Sequence, residues 1–204
     1  MTSFLSGLFL GLSLIVALGA QNLYVIRQGL RKEYALSVAL TCAVSDAILI
    51  SLGIFGIGFI VSESPQVMSI VALSGSVFLF VLGGYHLKLA IFSRSTIDIS
   101  LARRRSFIEV IGICLSLTWL NPHVYLETVF LIGAVSLASD SPIEFGAGAI
   151  SASFLFFFSL ALASQFFAEY FTDSRAWKLL DTLMWLVMWV MGLRILGLWS
   201  SGAF

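Results

Sequence analysis

Apolar residues along the chain fall into six long runs separated by short polar connections. Each run is long enough for a helix to cross the hydrocarbon core of a bilayer, which takes roughly 20 residues. The runs are Phe4–Ile26, Tyr34–Ile60, Gln66–Phe92, Phe107–Leu137, Ile143–Phe167 and Trp177–Trp199. Turn chemistry at Ser62–Pro65 and Ser139–Pro142 separates the second run from the third and the fourth from the fifth. The pattern therefore predicts an all-α integral membrane protein with six transmembrane helices.

Composition strengthens this prediction. The 204 residues are 59% hydrophobic and 11% charged, with a formal net charge of zero, whereas soluble domains are about 25% charged. The mean hydropathy of +1.03 indicates a chain that lies mostly in the lipid bilayer, and zero net charge argues against a nucleic-acid partner. The first residues lack the basic segment of a signal peptide, so the first run is expected to be a retained helix. One transmembrane domain over residues 1–204 accounts for the whole chain.

The basic residues predict how the chain is oriented. Ten of the eleven Lys and Arg residues fall on one side of the six-helix arrangement. They are Arg27, Arg31, Lys32, Lys88, Arg94, Arg103, Arg104, Arg105, Arg175 and Lys178. The positive-inside rule makes that side cytoplasmic, so both termini are expected to face the periplasm.

The polar connection Ser93–Ser106 divides the chain into two groups of three spans, repeat 1 over about 1–92 and repeat 2 over about 107–204. Three spans per group give the two repeats opposite orientations. The first span of each is interrupted by polar residues, at Gly19–Asn22 and at Leu120–Pro122. Paired interruptions in inverted repeats indicate a midplane binding site in secondary transporters. Counting along straight helices puts the two interruptions on opposite sides of the midplane, where two gates are expected.

The second interruption contains the strongest local signal. Pro122 has no N–H, so a helix arriving at Asn121 must kink or break. Polar backbone freed at membrane depth survives only where it is buried in protein or lines a wet cavity. Asn121, His123 and the carboxylate of Glu127 are therefore candidate cavity residues. A proline kink that is merely packed is the alternative for the Asn-Pro pair, and His123 either relays protons or donates to a freed carbonyl.

Asp46 is the second candidate, because it lies about 18 Å along its helix from Tyr34, near mid-bilayer. A charged side chain there costs about 3 kcal/mol on insertion scales. No Lys or Arg is expected at that depth, since Arg194 is near enough to the outer end of its span to snorkel. A substrate cation or a proton would supply the missing charge. The alternative is a neutral Asp46 that is hydrogen-bonded to Ser45 or a backbone carbonyl.

Four further residues receive structural interpretations. Arg27 is expected at a helix end and His86 at the membrane interface. Cys42 and Cys114 are expected to be small packing residues, with an intramembrane redox pair as the alternative.

Several stretches resemble the LysE family of basic amino-acid exporters over essentially the whole chain. They are residues 18–22 (LGAQN), 27–29 (RQG), 45–46 (SD), 118–128 (TWLNPHVYLET) and 150–154 (ISASF). The resemblance implies a bacterial inner-membrane exporter of L-arginine and L-lysine that is driven by the proton or membrane-potential gradient. The positions that it implies for binding or gating are Gln21, Asn22, Asp46, Asn121, Pro122 and Glu127. Family members usually have proline in place of Ala20 and aspartate in place of Glu127.

The leading hypothesis is thus an exporter rather than an enzyme, without metal or cofactor, which takes a cationic amino acid through alternating access. The substrate cations would bind Asp46 and Glu127, and its carboxylate would bind the N-termini of the half-helices after the breaks. Export of a neutral amino acid or a divalent cation is the alternative within transporters. An intramembrane thiol oxidoreductase and an assembly subunit are the alternatives from other classes. The sequence leaves open whether the unit is a monomer or a homodimer.

Overall fold

The computed structural model describes residues 2–16, 19–55, 65–92, 105–170 and 174–201, and these ranges are almost entirely helical. In the first half of the chain the helices are α1 (Thr2–Ile15), α2 (Ala20–Leu30), α3 (Ala35–Ile54) and α4 (Pro65–Phe92). The second half begins with α5 (Phe107–Trp119), the single turn α6 (Pro122–Tyr125), a π-helical segment (Leu126–Leu131) and α7 (Ile132–Leu137). It ends with α8 (Pro142–Phe167), a 3₁₀ turn (Ala168–Tyr170) and α9 (Ser174–Ser200).

Four helices, α3, α4, α8 and α9, are long and apolar enough to cross a membrane on their own. Two bent pairs pass the same test together. The axes of α1 and α2 differ by 80°, and those of α5 and the segment Pro122–Leu137 differ by 59°. The described chain therefore has four spans, or six if each bent pair counts as one span. The all-helical prediction is confirmed, and the six predicted runs correspond to these elements.

Local sequence explains where the helices of the second half begin. Ser106 and Glu109 form a reciprocal cap on α5: the Ser106 N–H donates to Glu109 Oε2 at 2.9 Å, and the Glu109 N–H donates to Ser106 Oγ at 3.3 Å. Ser141 is the N-cap of α8, with Pro142 at its first position. The turn predicted at Ser139–Pro142 is thus confirmed.

The predicted boundaries differ from the structure in the first half. The second span was expected to reach Ile60, but α3 ends at Ile54, and residues 56–60 lie outside the described residues. The turn predicted at Ser62–Pro65 also lies outside them, except for Pro65, which begins α4. Most of the connection Ser93–Ser106 lies outside the described residues as well.

The helices of the two halves pack against one another rather than forming separate bundles. α4 lies along α9, and α8 lies along both α1 and α3. Close approach of α1 and α8 depends on glycine, since a Cβ at Gly7 would be 1.9 Å from the Phe145 carbonyl oxygen and one at Gly148 would be 2.0 Å from that of Phe4. Small residues allow such backbone contact between membrane helices.

Large apolar side chains cover the outer surface of the helices. Phe9, Val81, Ile108 and Leu179 are each more than 60% exposed, which would be an aggregation hazard in water but suits contact with lipid. With the long apolar helices, this surface makes the chain a multi-pass membrane protein.

Candidate functional site

The first break lies just before the polar residues that the sequence singled out. α1 ends at Ile15, and Gly19 is the extended N-cap of α2, so Gln21 and Asn22 occupy the first turn of α2 rather than the break itself. The side-chain amide of Asn22 donates to the Ile15 carbonyl oxygen at 2.8 Å. Asn22 thus satisfies a carbonyl freed at the end of α1 and ties the two half-helices together.

The second break falls at Asn121 as predicted. The Asn121 side chain accepts a hydrogen bond from the His123 N–H at 3.1 Å, and Pro122 takes the first position of α6. The Tyr125 hydroxyl donates to the freed carbonyl of Trp119 at 2.8 Å. The π-helical segment that follows, which includes Glu127, is the kind of irregularity often found at functional sites.

Asp46 is buried in the middle of α3, with 4% of its surface exposed. Its Oδ2 accepts a hydrogen bond from Ser153 Oγ of α8 at 2.7 Å. Ser45, the partner considered from the sequence, instead accepts a hydrogen bond from the Trp119 indole at 3.2 Å. Ser45, which the alternative of a neutral Asp46 named as one possible partner, does not contact its carboxylate, because adjacent residues on a helix point in different directions. Asp46 therefore links the two halves through α3 and α8.

One cavity of about 180 Å³ brings together six of the seven residues that the sequence singled out. They are Gln21, Asn22, Asp46, Asn121, His123 and Glu127. Pro122 lines a smaller neighbouring pocket of about 110 Å³, to which His123 also contributes. The two interruptions thus line one cavity. Because α1 and α2 differ in direction by 80°, the position of Asn22 does not follow from a count along one straight helix. Two gates on opposite sides of the midplane stay a prediction.

His123 pairs with Glu127 in this cavity, its Nε2 lying 3.2 Å from Glu127 Oε1. The two residues are one helical turn apart, so the pair forms within a single element. The alternative in which His123 donates to a freed carbonyl is not what the structure shows. Both side chains remain partly exposed, at 39% and 31%, so both can be reached from the cavity.

Arg194 of α9 is a cavity residue that the sequence interpretation missed. It was expected to snorkel at the outer end of its span, yet it lines both the main cavity and the neighbouring pocket. Arg194 thus shares a cavity with Asp46, whose hydrogen bond is made to Ser153. Arg194 lies about 9 Å from the end of α9. Depth alone could not distinguish lipid from cavity, because that depends on how α9 packs against the broken helices.

The cavity can thus present two carboxylates and one guanidinium to a small molecule. Asp46 and Glu127 suit cationic groups, and Arg194 suits a carboxylate through paired N–H donors. The N-terminus of the 11-residue α2 adds free N–H groups and a positive dipole end. α6 has only four residues, so its contribution is small. No group of three or more His, Cys, Asp or Glu side chains suited to a metal occurs within the described ranges.

Arg27 lies in the last turn of α2, at a helix end as expected, but it is buried there at 7% exposure. The expectation for His86 was wrong, because this side chain is buried between helices at 1% exposure instead of lying at the membrane interface. Both residues contact Asp181 of α9. The sequence interpretation overlooked Asp181, although a carboxylate inside the last apolar run was a signal for it. Cys42 and Cys114 are buried free thiols, as expected, with their sulfurs 3.3 Å apart.

A charged cavity between two broken helices of a multi-pass membrane protein defines a translocator. The family model described as LysE type translocator matches residues 12–197, so the chain belongs to the LysE family. It is 38% identical over 194 residues to the arginine exporter protein ArgO of Salmonella newport (strain SL254), covering 94% of this chain and 92% of that protein. It is also 38% identical over 196 residues to ArgO of Enterobacter sp. (strain 638), with the same two coverages. No solved structure matches.

Proposed function

We propose that this protein exports basic L-amino acids, arginine and lysine, from the cytoplasm across the bacterial inner membrane. The relatives named arginine exporter support the substrate class. The observation that carries the proposal is the charge of the cavity, where Asp46, Glu127 and Arg194 surround about 180 Å³ at the meeting point of both breaks. A basic amino acid offers two cations and one carboxylate, which complements these three groups.

Each group in the cavity has a role in this proposal. Asp46 and Glu127 bind the α-ammonium and the side-chain cation, and Arg194 binds the carboxylate together with the N-terminus of α2. When the substrate cation takes Glu127 from His123, the imidazole loses the carboxylate that favours its protonated form, so His123 is positioned to release a proton to water at that point. Asn22 and Asn121 hold the broken backbone next to the substrate, and Gln21 lines the same cavity.

Transport proceeds by alternating access between two inverted repeats, over about 1–92 and 107–204, within one domain. Asp46 and Ser153 support the repeats, because each lies eleven residues beyond the first residue of its helix, 35 to 46 in α3 and 142 to 153 in α8. Ser153 donates to Asp46 at 2.7 Å, so these two positions lie side by side, which supports a pseudo-two-fold axis between α3 and α8. The last helices of the two halves, α4 and α9, also pair with each other.

The distribution of basic residues supports an orientation in which both termini face the periplasm. Single cysteines introduced at Thr2, which is exposed next to the buried Ser3, and at Gly202 should react with an impermeant thiol reagent in intact cells. Labelling of either position only after permeabilisation would refute this orientation.

Asp46 provides the direct test of the proposed substrate class. Asp46→Asn keeps the shape of the side chain and the hydrogen bond to Ser153 but removes its negative charge. The attraction between that charge and a substrate cation about 4 Å away amounts to roughly 4 kcal/mol at an effective dielectric constant of about 20. Efflux of labelled arginine from cells preloaded with arginine dipeptides should fall by about 100-fold or more. Asp46→Glu should retain part of the activity, because the charge moves by about one C–C bond.

The matched control is Asp140→Asn, which changes the same group in the exposed turn before α8 and should leave efflux unchanged. Citrulline, which lacks the side-chain cation, should be exported poorly by the parent protein. Citrulline efflux equal to that of arginine, or full activity of Asp46→Asn, would instead favour export of a neutral amino acid. Replacing both Cys42 and Cys114 with alanine should leave arginine export intact in a transporter. Loss of activity in that double variant would favour the thiol oxidoreductase.

A further inference from the structure

A second buried charge cluster lies on the side of the molecule that carries the basic residues. Arg27 of α2, His86 of α4 and Asp181 of α9 come from three different helices and are each less than 8% exposed. His86 lies about 9 Å from the end of α4, and Asp181 about 10 Å from the start of α9, so both are at similar depth. None of the three lines the cavity proposed for the substrate.

Two contacts within this cluster compete for Nδ1 of His86. Arg27 Nη1 donates to Asp181 Oδ1 and lies 3.1 Å from His86 Nδ1, which in turn lies 2.8 Å from the same Asp181 oxygen. The contact with Arg27 requires a bare Nδ1, because a guanidinium only donates. The contact with Asp181 requires a proton on Nδ1, because a carboxylate only accepts. One protonation state of His86 cannot satisfy both.

We propose that Arg27, His86 and Asp181 form the site that binds the coupling proton, and that the proton displaces Arg27 from Asp181. The inference rests on the proposed export function. With neutral His86, Arg27 and Asp181 form a buried ion pair of zero net charge. When a proton from water binds Nδ1, the imidazolium pairs with Asp181 and repels Arg27. The proton thus takes the place of the guanidinium, and the remaining pair is again neutral.

The Arg27 side chain can move into a pocket when it leaves Asp181. Arg27 lines this pocket of about 660 Å³, which lies on the same side of the molecule and also contains two carboxylates. The charged and titratable groups around the cluster and this pocket are Arg31, Glu33, Tyr85, Arg105 and Glu109. A protonated His86 would give the cluster of Arg27, His86 and Asp181 a net charge of +1. The nearby positive charges of Arg31 and Arg105 make this state unfavourable as long as Arg27 stays in place. Glu33 is paired with Arg31 at 3.0 Å, and Glu109 accepts a hydrogen bond from the Ser106 N–H at 2.9 Å, so Arg27 would share these carboxylates with their present partners.

This exchange is positioned to act on the substrate cavity. Arg27 is five residues beyond Asn22 on α2, about 7 Å along the helix axis, so movement of Arg27 moves the half-helix that lines the cavity. The ion pair with Asp181 holds α2 against α9, which belongs to the other half of the chain. Protonation releases this contact between the halves on the cytoplasmic side. When His86 releases its proton to water, Arg27 pairs with Asp181 again and the contact between α2 and α9 is restored.

The test uses the purified parent protein in liposomes with the membrane potential clamped at zero. A pH difference of one unit should drive arginine to a concentration ratio of up to about 10 if one proton moves per substrate. His86→Gln keeps a polar side chain but cannot be protonated. It should hold the ratio at about 1 while arginine–arginine exchange stays within about twofold of the parent. Lys88→Gln, an exposed change on the same helix, should behave like the parent.

A second variant keeps the inference testable should His86→Gln fail to fold. Arg27→Gln/Asp181→Asn removes both charges together and leaves no unpaired ion. If the pair is only a static contact, this double variant should accumulate arginine as the parent does. If it is the proton site, exchange remains and accumulation is lost. Arginine exchange in the parent with no response to pH, or a pH-driven ratio near 10 in His86→Gln, would overturn the inference. Absence of any arginine exchange in the parent would instead refute the proposed function.

Discussion

Replacing Arg194 tests how the cavity recognises an amino acid rather than just a cation. Arg194 lines the same cavity as the carboxylates Asp46 and Glu127, and its guanidinium suits the α-carboxylate of the substrate. Agmatine is arginine without that carboxylate, so it keeps the side-chain cation and one ammonium group. If Arg194 binds the carboxylate, Arg194→Gln should weaken binding of arginine but not of agmatine.

The expected size follows from the kind of bond that is lost. A hydrogen bond to a charged group contributes about 1.5–3 kcal/mol, and 1.4 kcal/mol corresponds to a tenfold change in an equilibrium constant. The Kd for arginine should therefore rise about 10- to 100-fold in Arg194→Gln, whereas the Kd for agmatine should change by less than about threefold. Arg194→Lys should give an intermediate Kd, because an ammonium keeps the charge but lacks the planar pair of donors.

Binding of both ligands to the purified proteins can be measured by calorimetry. Arg175→Gln is the matched control, since Arg175 is exposed near the other end of the same helix, and it should leave both Kd values unchanged. Equal weakening of arginine and agmatine by Arg194→Gln would show that Arg194 supports the fold of the cavity. Unchanged binding of both would show that it does not contact the substrate. Either result would refute the assignment.

Three further predictions concern the breaks and the helix contacts. Asn22→Ala and Asn121→Ala should each lower arginine efflux at least about tenfold, because each removes a hydrogen-bond partner of the freed backbone at the cavity. Immunoblots should show near-normal amounts of both variants in the membrane. Normal efflux by both variants would show that these two residues only pack. Cys42→Ala/Cys114→Ala should retain efflux within about twofold, since the sulfurs are packed free thiols; loss of efflux at normal abundance would oppose this. Gly53→Ala should lower thermal stability in detergent by about 1–3 kcal/mol, because its Cβ would be 2.5 Å from the Val129 carbonyl oxygen; an unchanged melting temperature would contradict this close contact.

The parts of the fold that could be predicted from sequence are those set by local chemistry. The apolar runs identified the long helices because bilayer thickness fixes their length. The break at Asn121 followed from the missing N–H of Pro122, and the start of α8 followed from Ser141 and Pro142. These signals depend on residues close together in the chain, so no knowledge of packing was needed.

The features that sequence could not predict depend on packing between distant elements. Asp46 is bound by Ser153, which is 107 residues away, and nothing in either helix alone specifies that partner. Arg194 was placed by depth, but depth does not say whether a side chain faces lipid or a cavity. Arg27 and Asp181 are 154 residues apart, and their pairing became visible only once α2 lay against α9.

Three of the interhelical polar contacts bear on the proposed alternating access. Asp46 and Ser153 join α3 and α8. Arg27 and Asp181 join α2 and α9, and in the proposed orientation this pair lies nearer the cytoplasm. Asn22 holds α2 to the end of α1 beside the cavity. A contact at the centre of a rotation changes little in length when the halves rock, whereas a contact away from the centre must break. In the proposed mechanism, with the centre of rotation at Asp46 and Ser153, Asp46 therefore keeps Ser153 while it binds substrate, and the Arg27–Asp181 pair is the contact that opens when the cavity faces the cytoplasm.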